Sequence, residues 1–243
     1  SLRGMSEQLE NIKMNPRLLW LQNLILMLQD TYFTNEMAME AIDFGDNLEY
    51  ENSSRVHEFF SYILNKQVIS LDYNAGFGRP QKRILHPYFV RQYNNRWFLI
   101  GLQEGHHGNY ITNKALDRIV KFSRANVPFI PNKEIDFNEY FKDVVGVTIP
   151  EEHPDVENVV LKFDEARFPY VVNKPIHHSQ IVLNEEEKTI QISVRPNKEL
   201  EAYIFSFGPQ VEVMRPQWLR EQIAKKMAII CNKYESMQNG CTE

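Results

Sequence analysis

Between Val68 and Phe122 five strand-length runs follow one another with only turn-length gaps, and that succession limits the fold more than any other feature. In the first run Ile69, Leu71 and Tyr73 alternate with Ser70 and Asp72. A period of two is that of a strand with one buried face, here over Val68–Tyr73. Further strands are predicted at Arg83–Val90, Arg96–Leu102, Tyr110–Thr112 and Ala115–Phe122. Their connections (GFGRP, QYNN and EGHHGN) carry the Gly, Pro and Asn that turns use. Ahead of them Ser54 opens a helix in which Val56, Phe59, Phe60 and Ile63 fall at i, i+3, i+4 and i+7. Five short sequential strands behind a capping helix imply a small, strongly bent antiparallel barrel.

The flanking segments follow other periods. Asn15-Pro16 is a helix start, and Leu21, Leu24, Ile25 and Leu28 mark its apolar stripe. A polar connection runs from Thr34 to Ser53. After the barrel, Asn126–Lys133 reads as an exit loop and Asp136–Phe141 as one or two helical turns. Two prolines and four acidic residues between Pro150 and Glu157 mark a boundary. Beyond it the order is strand (Val159–Phe163), helix (Glu165–Val172), strand (Gln180–Leu183), strand (Thr189–Val194), helix (Asn197–Phe207) and strand (Val211–Met214). That order is the split βαβ, or ferredoxin-like, arrangement. A last helix from Pro216 carries Leu219, Ile223, Met227, Ile230 and Tyr234 on one face. The expected architecture is α+β: an N-terminal helical region over 1–66, a barrel over 67–150, and a ferredoxin-like domain with a terminal helix over 151–243.

Charge is unevenly spread. From Arg79 to Arg124 there are nine basic residues against Glu104 and Asp117, a net of +7 in a chain whose formal total is −5. Such an island is either a solvated sheet face or an anion-binding surface, for which polyphosphates and nucleic acids are the usual ligands. Arg83, His86, Tyr88 and Arg91 lie on one strand. In a regular strand His86 and Tyr88 share one face, Arg83 and Arg91 the other. A bulge near Pro87 would bring them together. Tyr88, Tyr93 and Tyr110 are candidate stacking platforms for the bases of a single strand, and each has packing as its plainer role.

Several short stretches resemble a known family. Arg96-Trp97-Phe98-Leu99, then Ala115-Leu116-Asp117-Arg118-Ile119, and His86-Pro87-Tyr88 upstream, resemble the WYL domain of bacterial transcription regulators. His178-Ser179-Gln180, Asn197-Lys198-Glu199-Leu200, Phe205-Ser206-Phe207-Gly208 and Pro216-Gln217-Trp218-Leu219-Arg220 resemble the extension that follows it. The resemblance implies an Sm-like, SH3-type barrel followed by the ferredoxin-like extension. It also implies a ligand-sensing role and a ligand contact at Arg118; together with the basic strand this makes Arg83, His86, Tyr88, Arg91, Arg96, Trp97, Lys114 and Arg118 the candidate ligand-binding set, with core packing the plainer role of Trp97. Two departures stand out: Phe98 replaces the tyrosine of the family name, and Thr112 and Lys114 occupy places where members often carry Arg and an aromatic. Such regulators place a winged helix-turn-helix before the barrel. Arg3, Lys13 and Arg17 are too few for its recognition helix, so a fragment of a longer regulator or a stand-alone sensor is expected.

The expected function is therefore a sensing and oligomerising region that binds a nucleotide-containing ligand or short single-stranded nucleic acid. It would dimerise and act on DNA through a winged helix-turn-helix not contained in this chain. The alternatives are a phosphodiester-processing enzyme using the same face and a structural adaptor. No GxSxG, HExxH or P-loop is present, and no catalytic residue, metal or cofactor is expected. The pairs His106-His107 and His177-His178 lack a ligand pattern, while Asp72, Asp117 and Cys231 read as ion-paired or packing residues. No apolar run is long enough to span a bilayer, since Leu18–Leu28 is broken by Gln22 and Asn23. The start, SLRGMSEQ, lacks the apolar core of a secretory leader. With cysteines only at 231 and 241, the expected setting is a reduced cytoplasm.

Overall fold

The computed structural model describes residues 53–238 except 77 and 95; the helix expected after Asn15 lies outside them. Helix α1 (Ser53–Leu64) leads into β1 (Ile69–Tyr73), β2 (Gln81–Tyr93), β3 (Arg96–Gln103), β4 (Tyr110–Ala115) and β5 (Ile119–Arg124). These form one antiparallel sheet in the order β4-β3-β2-β1-β5. One face packs Ile69, Leu71, Leu85, Leu99, Leu116 and Ile119 around Phe59 of α1. The opposite face packs Ile100, Phe98, Phe89 and Ile111 against Phe137, Phe141 and Val144, near the short helix α2 (Phe137–Tyr140). Asp136 caps α2 through its side chain, which accepts from the amide of Asn138.

The strand expected over Ala115–Phe122 is interrupted. Leu116–Arg118 form a 3₁₀ turn instead. The sheet order explains it: β4 is one edge and β5 pairs with β1 at the other. The chain must therefore leave the first edge and redirect, and Leu116, fully buried, anchors that turn in the core. β2 is also longer than expected, with a register shift between Pro87 and Phe89 in its pairing with β3.

A second antiparallel sheet has the order β7-β8-β6-β9. Its strands are β6 (Glu157–Phe163), β7 (Ile181–Asn184), β8 (Thr189–Val194) and β9 (Val211–Arg215). Helix α3 (Phe168–Asn173) follows β6, α4 (Lys198–Ser206) follows β8, and α5 (Gln217–Gln238) follows β9. Val159, Leu161, Ile190, Ile192, Val194 and Val213 pack with Leu200, Ile204, Leu219 and Ile223 in one apolar core. Only the first half of α5 joins it, because Ile230 and Tyr234 on the same stripe are exposed. β7 is an edge strand whose Ile181, Val182 and Leu183 are all exposed, followed directly by exposed Glu185, Glu186 and Glu187.

The segment between the sheets is held by hydrogen bonds. Buried Asn197 caps α4 by accepting from the Leu200 amide, and its Nδ2 donates to the carbonyls of Val145 and Thr148. The Arg195 amide donates to the Asp143 carbonyl. Gly146 has φ +86°, and a Cβ there would lie 2.7 Å from the Glu199 side chain and 3.1 Å from Tyr93. Only glycine combines that backbone conformation with so close an approach.

Candidate functional site

The register shift in β2 decides which basic residues meet. Residues opposite one another in a ladder share a face of the sheet. Leu71 pairs with Arg83, and Leu99 with Lys114, so both cations stand on the face that carries the Leu71–Leu99 core. His86 pairs with Leu102 on the opposite face, and beyond the bulge Arg91 pairs with Phe98 on that same face. The bulge therefore gathers His86, Tyr88 and Arg91 and leaves Arg83 behind them.

His86, Tyr88 and Arg91 hold the segment after β5. His86 is fully buried. Its Nδ1 accepts the Ile130 amide at 3.1 Å, so the other nitrogen, Nε2, carries the proton and donates to Glu104 Oε1 at 3.1 Å. The Tyr88 hydroxyl donates to the Ile130 carbonyl at 2.7 Å, and its ring meets Phe129 edge-on. Burial raises the Tyr88 phenol above its usual range. The Arg91 guanidinium lies over the Phe141 ring, 4.4 Å from its centroid. These three bind the protein's own chain. Trp97 is half-buried and packs against the α1-side core.

On the other face Lys114 is only 9% exposed. Its ammonium sits 4.8 Å from the centroid of the Tyr73 ring. Burial, reinforced by the Arg83 guanidinium, lowers its pKa from 10.5 to about 8. Among the described residues no carboxylate forms an ion pair with Lys114 or Arg83. Among the described residues Arg83 donates to the Lys82 carbonyl and to Gln81 Oε1. Two like charges thus share a core-facing surface without a counterion among the described residues.

Further along that face Leu85 pairs with Gln103, and Gln103 with Tyr110. Gln103 is 3% exposed; its Nε2 donates to the Tyr110 hydroxyl, and its Oε1 has no hydrogen-bond partner among the described residues. Arg83, Gln103 and Tyr110 line one open cleft of about 680 Å³, together with Lys82, Glu104 and the turn bearing His106 and His107. Sequence reasoning missed Gln103. The signal was a polar residue at an inward position of a strand that is otherwise apolar inside.

Arg96 and Arg118 belong to a separate cleft of about 320 Å³ with Tyr73, Tyr93, Phe98 and Glu199. Arg96 forks onto the Asp117 carboxylate, its Nε donating to Oδ1 at 3.1 Å. The Arg118 side chain is exposed. Glu199 Oε1 accepts from the Thr148 hydroxyl at 2.6 Å, and burial together with the Glu199 charge raises the Tyr93 phenol.

The histidine pairs fall elsewhere. His177 is buried, donating through Nε2 to the Lys142 carbonyl at 2.8 Å, with Nδ1 on Ser179. Burial and the neighbouring His178 lower its pKa. Among the described residues no three His, Cys, Asp or Glu side chains are grouped to hold a metal. No described helix is long and apolar enough to cross a membrane.

Comparison with known proteins agrees with the two sheets. The WYL domain model matches residues 56–123, and the WCX domain model matches residues 155–228. No curated protein matches the chain. Among solved structures, the proteasome accessory factor B/C (PafBC) of Arthrobacter aurescens is 15% identical over 74% of this chain and 27% of its own, with a TM-score of 0.30. A CRISPR Cas-related protein is 14% identical over 78% of this chain and 53% of its own, with a TM-score of 0.43. The chain thus spans about a quarter and about a half of these two proteins.

Proposed function

Because this chain belongs to the WYL-domain family, with a WYL domain followed by a WCX domain, we propose that it is the ligand-sensing region of a transcription regulator. Its ligand is an anion: a nucleotide-containing molecule or short single-stranded nucleic acid. The observation that carries this reading is the pair Arg83 and Lys114, two cations on a core-facing surface with no carboxylate partner among the described residues. A charge removed from water without a counterion is costly, and a bound anion offsets that cost. Arg118 and Arg96, at the second cleft, extend the basic surface for a longer ligand.

We read the order β4-β3-β2-β1-β5 with its 3₁₀ turn as an Sm-like barrel. The order β7-β8-β6-β9 is read as a ferredoxin-like domain. In this reading the regulator works as a dimer and reaches DNA through a winged helix-turn-helix. Occupancy would be passed on by a ligand that binds one conformer more tightly than another. Sensing is favoured over phosphodiester turnover because the described residues hold no group of three His, Cys, Asp or Glu side chains to bind a catalytic metal.

The test is binding of short labelled single-stranded oligonucleotides and a nucleotide panel at two salt concentrations, to the wild type and to Arg83→Glu and Lys114→Met. Salt-sensitive binding lost in both folded variants is the expected result. Absence of binding across the panel rejects the reading and favours an adaptor.

A further inference from the structure

The cleft beside Arg83 contains a second recognition element. Gln103 sits in it at 3% exposure, with Oε1 unpartnered and one Nε2 hydrogen committed to the Tyr110 hydroxyl. A buried amide acceptor without a donor costs stability. A leucine would fill the same place on the core-facing side of β3 without that cost. The amide therefore offers an unused acceptor and one unused N–H side by side. Reversing the oxygen and nitrogen of the amide leaves the same donor–acceptor pair available.

Several nucleobases can complement a planar donor–acceptor edge, and adenine is the one that a glutamine amide characteristically pairs in nucleic-acid recognition. Adenine presents its amino group beside a ring-nitrogen acceptor, and a glutamine amide bonds both at once. Tyr110 is half exposed on the edge strand β4, on the same face as Gln103. A Cβ at Gly105 would lie 3.2 Å from the Tyr110 ring, so the turn is shaped around that side chain. The Arg83 guanidinium lines the same cleft. Its volume of about 680 Å³ lies within the range of small-molecule sites, roughly 300–1,000 Å³.

We propose that this cleft binds an adenine nucleotide: Gln103 reads the base edge, Tyr110 swings from the Gln103 amide to stack on the ring, and Arg83 holds the phosphate. The assignment rests on the sensor reading above and names the base within it. Tyr110 serves as a gate, because its hydroxyl occupies one amide hydrogen of Gln103 until a base displaces it.

The experiment is calorimetric titration of the purified chain with AMP, IMP, GMP, CMP and UMP, and with the trinucleotides of deoxyadenosine and thymidine. AMP is expected to bind about tenfold or more tightly than IMP, which replaces the amino group with a carbonyl. In Gln103→Leu, AMP should fall to the level of IMP while IMP is unchanged. Tyr110→Phe, which frees the amide, should bind AMP at least as tightly as the wild type. Preference for the adenine trinucleotide over AMP identifies a single strand as the source of the base; equal affinity identifies the free nucleotide.

Binding of all five nucleotides without base preference, or a preference that survives Gln103→Leu, overturns the adenine assignment and leaves the sensor reading standing. No binding of any probe overturns both. The AMP-to-IMP ratio is measured on the wild type, so the outcome does not depend on a variant folding.

Discussion

The two sheets share one habit and differ in another: each leaves a buried polar atom without a partner among the described residues, Gln103 Oε1 at the first and Arg195 Nε and Glu199 Oε2 at the second, but the buried lysine stands at the first. In the second sheet Asn197, Glu201 and His177 are buried and each is partnered: Asn197 by three hydrogen bonds, Glu201 by Gln222 and Lys226, His177 by Lys142 and Ser179. In the first, no described carboxylate pairs with Lys114, and Gln103 Oε1 has no partner among the described residues. Apolar packing differs in the same sense. Among the described residues, fifteen buried side chains form one core under the second sheet, whereas the first divides seven and four between its two faces. A sheet with cores on both sides has less depth on each, and polar groups can reach a surface from within. The second sheet has the deeper core, and the first carries the buried cation that no described carboxylate pairs.

The largest expected effect tests the stable side. Leu161→Ala, at a fully buried position of β6, should cost about 3 kcal/mol in urea unfolding. It should leave anion affinity of the folded protein unchanged; a tenfold loss of affinity would erase the division of labour. Next, Asn197→Ala removes a helix cap and two bonds to the joining segment and should cost about 2 kcal/mol. Hydrogen exchange at the Val145 and Thr148 region should quicken with it; unchanged protection would show that the segment is held by other contacts.

Lys114→Met sharpens the comparison from the other side. Removing a buried charge without a counterion should raise stability by about 1 kcal/mol while abolishing anion binding. The wild type should also show a pH signature. Folded Lys114 gives up its proton near pH 8, whereas the unfolded chain holds it to about 10.5. The unfolded state binds more protons between these values, so stability rises with pH across that window and is flat below it. Lys114→Met should lack the rise, and anion affinity of the wild type should fall as pH passes 8. A variant that keeps the rise would move its origin to another group. The smallest effect is Arg96→Gln at the half-exposed pair with Asp117, less than about 1 kcal/mol by thermal melting. A larger loss would make that pair part of the structural frame.

Alternation made most strands legible in the sequence, and β8 is found at the expected Thr189–Val194. The 3₁₀ turn at Leu116–Arg118 was hidden because Leu116 and Ile119 keep a strand-like apolar pattern while the chain bends; only the distant pairing of β5 with β1 demands the bend. The β2 bulge was foreseen as a way to unite four candidates. It unites three, on the face closed by Phe129, Ile130 and Phe141. Charge counting located the basic island but could not tell which face each residue takes, since one extra residue inverts the parity of everything after it. Lys114 was visible as a departure from family habit. Gln103 was not read, because the expected strand stopped at Leu102 and left its inward position outside.

The edge strand β7 has a practical consequence for handling the protein. Its outer backbone groups and three consecutive exposed apolar side chains form a template for another chain. Glu185–Glu187 sit directly beside it and act as gatekeepers, repelling a second copy that approaches edge to edge. That protection is purely electrostatic and reaches only about 10 Å at 0.1 M salt, falling to about 3 Å at 1 M. Concentrated, high-salt solutions should therefore drive self-association through this edge, and dilute, low-salt storage should preserve the dispersed form.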